Sequence, residues 1–360
     1  MEDPQVIRVL VTDDSAFTRA LISDCLSGCP DIEIAGVARN GEEALLKVRR
    51  LLPDVVTLDV EMPLLNGIET LDRLMKETPL PVIMLSSLTT RGAETTIRCL
   101  EIGAFDFIEK PAKSNGNDLE TFRRCLIEKV RSAGRSRLLR RMQAKSRPVQ
   151  ETRQKAEESF VPSRIRPDIV LVAASTGGPR ALSRVLADLP KDFPCPILIV
   201  QHMPKGFTGP FAGRLDQVSP LRVLEAYEGF QPAPGTAALA PGDSHLLLKG
   251  TKEKLVCCLS DSAPVNSVRP SADVLFQSAA KIDGLYPAAV ILTGMGRDGT
   301  EGARVLKKLN GTILAEAEES ATVYGMPRCA REAGVVDRMI PLEQIAPELI
   351  RLAGSEKPLA

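Results

Sequence analysis

The sequence predicts two α/β domains, each with a parallel β-sheet covered by helices. Three observations support this prediction. At 360 residues the chain is longer than a single hydrophobic core usually serves. Short apolar runs alternate with amphipathic stretches five times between Val6 and about Arg131, and a new strand-turn-helix pattern begins at Asp168. A mostly polar and charged segment separates the two regions, as expected for a linker.

The N-terminal strands are predicted from runs rich in Val, Ile, Leu and Phe, the composition of strands that are buried on both faces. These runs span residues 7–11, 32–38, 54–60, 81–85 and 106–110. Helical periodicity fills the intervals between them, so the sheet should be doubly wound. We expect this domain to cover residues 1–131.

Residues 132–166 are predicted to form the linker. The stretch from Leu119 to about Ala144 is able to continue the last helix of the first domain. Beyond it, Pro148, Pro162 and Pro167 make the chain a poor helix former. The linker should therefore be an adaptable tether between the domains.

The second domain is predicted to cover residues 167–355 as a doubly wound, mostly parallel α/β unit. A strand at 168–175, the turn TGGP and the helical segment RALSRVLADL begin it, and six further apolar runs follow. Helices are expected at 271–283 and 300–309. Because the runs between Ala237 and Leu259 are closely spaced, we expect hairpins and therefore a mixed sheet there.

Composition narrows the classes of function. Lys plus Arg and Asp plus Glu both number 46, so we expect no nucleic-acid binding. No apolar run approaches the roughly 18 residues of a membrane span, and the N-terminus MEDPQV lacks the charge of a secretory signal, so we expect a cytoplasmic protein without membrane insertion. Eight cysteines without a C-x-x-C motif, in a chain with two histidines, favour reduced structural thiols over a zinc site.

Polar side chains collect at the carboxyl ends of the N-terminal strands, where open parallel sheets bind ligands. They are Asp13, Asp14, Asp59, Ser86 and Lys110. Three converging carboxylates require a hard cation such as Mg²⁺, and the hydroxyl and ammonium groups can donate to phosphoryl oxygens. Taken singly, Asp13 and Asp14 are better explained as a helix N-cap and Asp59 as a surface loop residue. The five together favour an aspartyl phosphate site.

The motifs VTDDS, LDVEMPLLNG, MLSS and EKP resemble those of the receiver domain of two-component response regulators, in the same order and spacing. The resemblance covers about residues 6–130 and implies a flavodoxin-like (βα)5 fold. It assigns Asp59 as the phosphoacceptor, Asp13 and Asp14 as metal carboxylates, Lys110 as a phosphoryl contact and Ser86 as the switching hydroxyl. It also implies Mg²⁺ and a histidine kinase as the phosphodonor.

Phe107 matches the switch aromatic of the receiver family, and its apolar setting is equally well explained by a place in the core. Both interpretations remain open at the level of sequence.

In the second domain, Ser175 follows a buried-type strand and precedes Thr176-Gly177-Gly178 and a helix. Backbone N–H groups in such a turn suit a developing oxyanion, but a glycine-rich turn after a strand also cradles phosphates.

Two further polar residues follow apolar runs of the second domain. His202 ends PILIVQH, and Asp298 lies in TGMGRDG after AAVILT. Together with Ser175 they can form a triad, since triads are recognised by geometry and not by sequence order. His245, the only other histidine, is interpreted as a strand-start or loop residue. Asp298 is also explained as the N-cap of the helix predicted at 300–309, and it can have both roles.

Residues 167–350 resemble the chemotaxis receptor methylesterase domain through ASTGGP, QHMP, RPSADVLF, TGMGRDG and YGMPR. The resemblance makes Ser175 the nucleophile, His202 the general base and Asp298 the group that orients the histidine. Thr176 and Met295 fall at positions that help to form the oxyanion site of the family.

The two resemblances together imply a phosphorylation-regulated serine hydrolase that demethylates glutamyl methyl esters, and deamidates certain glutamines, on chemotaxis receptors. A chemotaxis histidine kinase would be the phosphodonor. The unphosphorylated receiver would repress the enzyme, phosphorylation of Asp59 would activate it, and ester hydrolysis would need no cofactor. Two alternatives remain open: a related esterase or amidase that acts on another protein, and a non-enzymatic output module that binds a phosphorylated ligand.

Overall fold

The computed structural model describes residues 6–87, 90–111, 116–145 and 166–354. The chain divides into two compact units, residues 1–152 and 153–360, and each contains its own parallel sheet. The predicted domain limits at 131 and 167 stay a prediction, because the last N-terminal helix continues to Lys145 and residues 146–165 lie outside the described part of the chain.

The N-terminal unit is the doubly wound parallel sheet that its apolar runs predict. Its strands run in the order β2-β1-β3-β4-β5, and every pair is parallel. The strands are β1 (Ile7–Thr12), β2 (Ile32–Ala38), β3 (Val55–Asp59), β4 (Val82–Ser86) and β5 (Asp106–Glu109). The helices are α1 (Ala16–Ser27), α2 (Gly41–Leu51), α3 (Gly67–Glu77), α4 (Thr90–Ile102) and α5 (Gly116–Lys145).

Local interactions set where the first helices begin. The N-cap of α1 is Ser15, whose hydroxyl accepts the N–H of Thr18, so the explanation of Asp13 and Asp14 as the helix cap is wrong. Helix α3 begins at Gly67, where an added Cβ would lie 2.2 Å from the carbonyl oxygen of Asp59. Only glycine therefore allows α3 to start this close to the end of β3.

The C-terminal unit has a seven-stranded parallel sheet in the order β14-β13-β12-β6-β7-β9-β8. Its strands are β6 (Ile169–Ala174), β7 (Ile197–Gln201), β8 (Arg222–Glu225), β9 (Thr236–Leu239), β12 (Pro287–Ile291), β13 (Thr312–Glu316) and β14 (Arg338–Ile340). Its helices are α6 (Gly178–Ala187), α7 (Thr208–Val218), α8 (Ala272–Ala279), α9 (Thr300–Lys308), α10 (Met326–Glu332) and α11 (Leu342–Ala353).

The expectation of a mixed sheet between Ala237 and Leu259 is wrong. Strands β10 (His245–Thr251) and β11 (Lys254–Ser260) do form an antiparallel hairpin, but it is a separate two-stranded sheet. The hairpin packs on the main core through Leu246, Leu248 and Cys257. Short apolar runs predict a strand but not the sheet that it joins, because pairing partners are chosen by tertiary packing.

Two edge strands of the C-terminal sheet were not predicted from the sequence. Strands β8 and β14 have four and three residues, and only one residue in each is fully buried. A continuous apolar run marks only strands that are covered on both faces, so short edge strands leave no such signal. The helix predicted at 271–283 also ends earlier, at Ala279.

Candidate active site and acidic pocket

The acidic pocket forms at the carboxyl edge of the N-terminal sheet, as the sequence predicts. Asp13 follows β1, Asp59 ends β3, and both carboxylates lie 2.8 Å from the Nζ of Lys110, which follows β5. Asp14 is exposed beside them, and oxygen atoms from the three carboxylates lie within 4.8 Å of one another. This set of clustered hard oxygen donors fits the coordination preferences of Mg²⁺.

Burial and the neighbouring ammonium group act in opposite directions on the pocket. Burial raises the pKa of Asp59 to about 6, although the hydrogen bond and the positive charge of Lys110 oppose the rise. Burial would lower the pKa of Lys110, but its hydrogen bonds to Asp13 and Asp59 outweigh this effect and raise the pKa overall. Lys110 therefore stays a cation, and one ammonium group compensates two buried carboxylates, so the pocket can accept further positive charge.

Ser86 ends β4 beside the pocket, where its carbonyl accepts the N–H of Lys110, and both Ser86 and Phe107 of β5 are buried. The hydroxyl of Thr96, on α4, lies 2.7 Å from the Ser86 hydroxyl and also donates to the carbonyl of Gly92. Phe107 packs in the core, and Lys129 holds its carbonyl from α5. The core interpretation of Phe107 describes this structure, whereas its switch role stays a prediction. Thr96 was missed because nothing in its local sequence marks it.

The turn after β6 places Ser175 at the carboxyl edge of the C-terminal sheet. Its N–H donates to the carbonyl of Thr293, at 3.0 Å, and its carbonyl accepts the N–H of Gly178 and the side-chain amide of Gln201. Gly177 has φ 79°, a left-handed conformation that favours glycine and ends the turn before α6 begins. The backbone of Ser175 is thus tied to both neighbouring strands.

His202 stands next to Ser175 across the sheet. Ala174 and Gln201 are paired in register at the ends of β6 and β7, so Ser175 and His202 are the next residues on strands about 4.8 Å apart. The N–H of His202 donates to the carbonyl of Ala174 at 3.0 Å. The ring Nε2 of His202 lies 2.8 Å from Oδ2 of Asp298, which leaves Nδ1 as the ring nitrogen for another partner.

Asp298 is almost fully buried, and five groups hydrogen-bond to its carboxylate. They are the His202 ring, the Ser271 hydroxyl, the Asn266 amide and the backbone N–H groups of Ala272 and Asp273. Burial would raise its pKa, but the hydrogen bonds from these donors outweigh burial and hold the pKa at about 2. The carboxylate is therefore anionic across the neutral range.

The interpretation of Asp298 as the N-cap of α9 needs a correction. The N-cap of α9 is Gly299, which has no side chain that could accept an N–H of the helix. Asp298 instead accepts the first two N–H groups of α8, because this helix points its N-terminus at the carboxylate. The position next to a helix start was thus informative, although the helix is a different one.

The oxyanion role that the resemblance implies for Thr176 and Met295 stays a prediction. Thr176 is the residue after Ser175 in the turn. Met295 follows Gly294, where an added Cβ would lie 2.7 Å from the Cβ of Ser175. Glycine at 294 therefore allows the backbone that leads to Met295 to pass close to Ser175.

The sequence analysis assigned no supporting role to Gln201, Ser271 or His245. The side-chain amide of Gln201 donates to the carbonyls of Ser175 and His202, at 3.0 and 3.1 Å. The Ser271 hydroxyl donates to Asp298 at 2.6 Å, and the buried ring of His245 accepts the Ser271 N–H at 3.1 Å. His245 is the first residue of β10, in agreement with its interpretation as a strand-start residue. The motif RPSADVLF contains Ser271, but only the folded chain brings it to Asp298.

The two sheets and their sites define a class of protein: a response regulator whose output domain is an α/β enzyme. The family model described as CheB methylesterase matches residues 170–349, and that described as response regulator receiver domain matches residues 9–119. No helix among the described residues has the length and apolar character needed to cross a membrane.

Relatives match over nearly the whole chain. The protein-glutamate methylesterase/protein-glutamine glutaminase of Halalkalibacterium halodurans is 47% identical over 348 residues, which cover 96% of this chain and 98% of the relative. The protein of the same name from Thermotoga maritima is 44% identical and covers 97% and 99%. The crystal structure of the Thermotoga maritima CheB methylesterase catalytic domain matches 52% of this chain and 100% of that domain, at 46% identity and a TM-score of 0.51. The chain therefore belongs to the CheB methylesterase family.

Replacement of Ser271 by alanine should destabilise the C-terminal unit by about 1–3 kcal/mol, because it leaves a buried carboxylate oxygen with one donor fewer. The measurement is the shift in the denaturant midpoint of the full-length protein. Ser183→Ala is the control, since the hydroxyl of Ser183 donates to the carbonyl of Pro179 within its own helix. An equal shift for the two variants would contradict a special contribution from Ser271.

Proposed function

We propose that the C-terminal unit hydrolyses γ-methyl esters of glutamyl side chains on chemotaxis receptors, and also deamidates certain receptor glutamines. The observation that carries the proposal is the 2.8 Å pair of His202 and Asp298, with His202 next in register to Ser175. The relatives are named protein-glutamate methylesterase/protein-glutamine glutaminase, and we take the ester and amide substrates from those names. The products are glutamate with methanol from the ester, or with ammonia from the amide.

In the proposed reaction the Ser175 hydroxyl attacks the ester carbonyl carbon, and its proton passes to Nδ1 of His202. Asp298 stabilises the resulting imidazolium through Nε2. His202 thus faces Asp298 with Nε2, whereas in the more familiar arrangement Nδ1 faces the carboxylate. The low pKa of Asp298 supports this role, since an anion is required beside the imidazolium.

The N–H groups of Thr176 and Met295 are proposed to hold the oxyanion of the tetrahedral intermediate. The close approach of Gly294, the residue before Met295, to Ser175 supports this assignment. Collapse of the intermediate expels methanol with the proton from His202, and water then hydrolyses the acyl-enzyme with His202 as the base. Every proton moves through one histidine, so no cofactor is proposed for this step.

In the receiver domain, Asp59 is proposed as the phosphoacceptor for a chemotaxis histidine kinase. Asp13, Asp14 and Asp59 would hold Mg²⁺, which supplies positive charge against the oxygens of an incoming phosphoryl group. Lys110 is proposed to move from its pairs with Asp13 and Asp59 to a phosphoryl oxygen.

The proposed switch lies beside this pocket. Ser86 would follow the phosphoryl group and release its 2.7 Å contact with Thr96, and Phe107 would respond in the neighbouring core. Unphosphorylated receiver is proposed to repress the esterase, and phosphorylation to relieve the repression. A tenfold activation requires a difference of only about 1.4 kcal/mol in free energy between the repressed and the active state.

The eight free cysteines support a cytoplasmic location, where thiols remain reduced.

Ser175→Ala should abolish methanol release from methylated receptor membranes, with a loss on the order of 10⁶ in turnover if the triad acts as a unit. His202→Ala should have a similar effect. The matched control is Ser183→Ala, a serine in the neighbouring helix. Methanol release at a near-normal rate by folded Ser175→Ala would rule out the nucleophile. If the wild-type protein released no methanol but hydrolysed another protein ester or amide, the substrate assignment alone would change.

Asp59 should become phosphorylated by a small phosphodonor only when Mg²⁺ is present, because three clustered carboxylates otherwise repel an anionic donor. Radiolabel incorporation measures this, with EDTA as the metal-free arm. Asp59→Asn should remove the label, whereas Asp72→Asn, an exposed aspartate on α3, should retain it. If Asp59→Asn incorporated as much radiolabel as the wild-type protein, another residue would be the phosphoacceptor.

A fragment of residues 165–360 should be more active than the unphosphorylated full-length protein and indifferent to the phosphodonor. The reason is that removal of a repressing domain has the same effect as its release. The comparison uses methanol release, with full-length Asp59→Asn as the permanently repressed control. A fragment with less activity than the unphosphorylated full chain would show that the receiver assists catalysis.

A further inference from the structure

The strand next to β12 carries a buried carboxylate that the proposed reaction does not use. Glu316, the last residue of β13, is fully buried. Its two oxygens accept the N–H of Thr293 at 2.8 Å and the hydroxyl of Ser320 at 3.1 Å. Within the described chain it has no ion-pair partner. A buried carboxylate without a cation is costly, so its presence needs an explanation beyond packing.

Thr293 connects this carboxylate to the Ser175 turn. It is the second residue after β12, and its carbonyl accepts the N–H of Ser175 at 3.0 Å. Its hydroxyl donates to the carbonyl of Thr176 at 2.9 Å and accepts the N–H of Val323 at 2.9 Å. One residue therefore holds the backbone on both sides of the peptide that presents the Thr176 N–H.

The same residue also begins the loop that carries the second proposed oxyanion donor. Gly294 and Met295 follow Thr293 directly, and Gly294 lies against Ser175. The bond from the Thr293 N–H to Glu316 is thus the outer anchor for both proposed oxyanion groups. An error of about 1 Å in such groups can reduce turnover about a hundredfold.

We propose that Glu316 is a positioning residue, which fixes Thr293 and through it the nucleophile turn and the Met295 N–H. This inference rests on the proposed role of Ser175 as nucleophile. Glu316 touches neither the substrate nor the reacting atoms. Burial raises its pKa to about 7, against the opposing effect of its two hydrogen bonds, in keeping with a carboxyl group that is retained for its acceptor oxygens and not for an ion pair.

Two replacements of Glu316 separate the acceptor oxygen from the bulk of the side chain. Glu316→Met keeps the length and removes the acceptor. Glu316→Gln keeps an oxygen for the Thr293 N–H, and its amide can donate to Ser320. In the full-length protein we expect Glu316→Met to lower kcat about 10- to 100-fold with KM changed less than about threefold, and Glu316→Gln to restore kcat to within about threefold of wild type.

A second readout does not depend on the natural substrate. The rate at which a fluorophosphonate probe labels Ser175, followed by intact mass, should fall in Glu316→Met in parallel with kcat. Glu348→Met is the matched control, because Glu348 is also a buried carboxylate but is paired with Arg338 of the edge strand β14 and with Arg351 of α11. It should lower the thermal midpoint and leave the labelling rate within about twofold of wild type.

Thr293→Val provides an independent test if Glu316→Met does not fold. It keeps the N–H to Glu316 and removes the hydroxyl that holds Thr176, so labelling should again slow about tenfold. A labelling rate equal to that of the wild type in folded Glu316→Met or in Thr293→Val would overturn the proposal. The same holds if Glu316→Gln loses as much of the labelling rate as Glu316→Met, or if Glu348→Met does. If the probe labels Ser175 of the wild-type protein but this protein releases no methanol from methylated receptors, the ester assignment fails. The comparison of labelling rates then still decides the role of Glu316. If Ser175 is not labelled at all, the nucleophile assignment and this inference both fail.

Discussion

The buried carboxylate of Asp298 is the interaction on which the candidate active site depends. Isolated burial of this charge would be very costly, and the carboxylate is tolerated because the N-terminus of α8, the Ser271 hydroxyl and the Asn266 amide all donate to it. Its pKa is held at about 2, against the effect of burial, by the hydrogen bond and charge of His202 and by the donors Ser271 and Ala272. Oδ2 of the carboxylate faces His202. The start of one helix and the orientation of the histidine are therefore fixed by a single anion.

Both sites lie where an open parallel sheet changes winding direction. In the N-terminal unit the change falls between β1 and β3, which carry Asp13 and Asp59. In the C-terminal unit it falls between β6 and β12, and the loops after these strands carry Ser175 and Asp298. Loops that leave adjacent strands in opposite directions open a crevice at this point. The acidic pocket and the candidate active site thus form at equivalent points of two parallel sheets.

Much of the fold could be predicted from the chain because strands covered on both faces need continuous apolar runs. The strands β1, β3 and β4 of the N-terminal sheet and β6, β7 and β12 of the C-terminal sheet follow this rule. The edge strands β8 and β14 do not, since one face of an edge strand contacts solvent and its composition is ordinary. The hairpin β10–β11 was recognised, but its separation from the main sheet depends on packing against α8, which no local pattern encodes.

By itself the sequence determined the residue types that end the strands, and hence the candidates Asp13, Asp59, Lys110, Ser175, His202 and Asp298. Strand ends can be read locally, because hydrophobic runs and the polar residues after them are contiguous. Only the tertiary structure decided that Nε2 of His202 faces Asp298, that Asp298 caps α8, and that Glu316 holds Thr293. Each of these contacts joins residues more than 20 positions apart, and such contacts arise from strand order and helix placement, which the packing of the whole core selects.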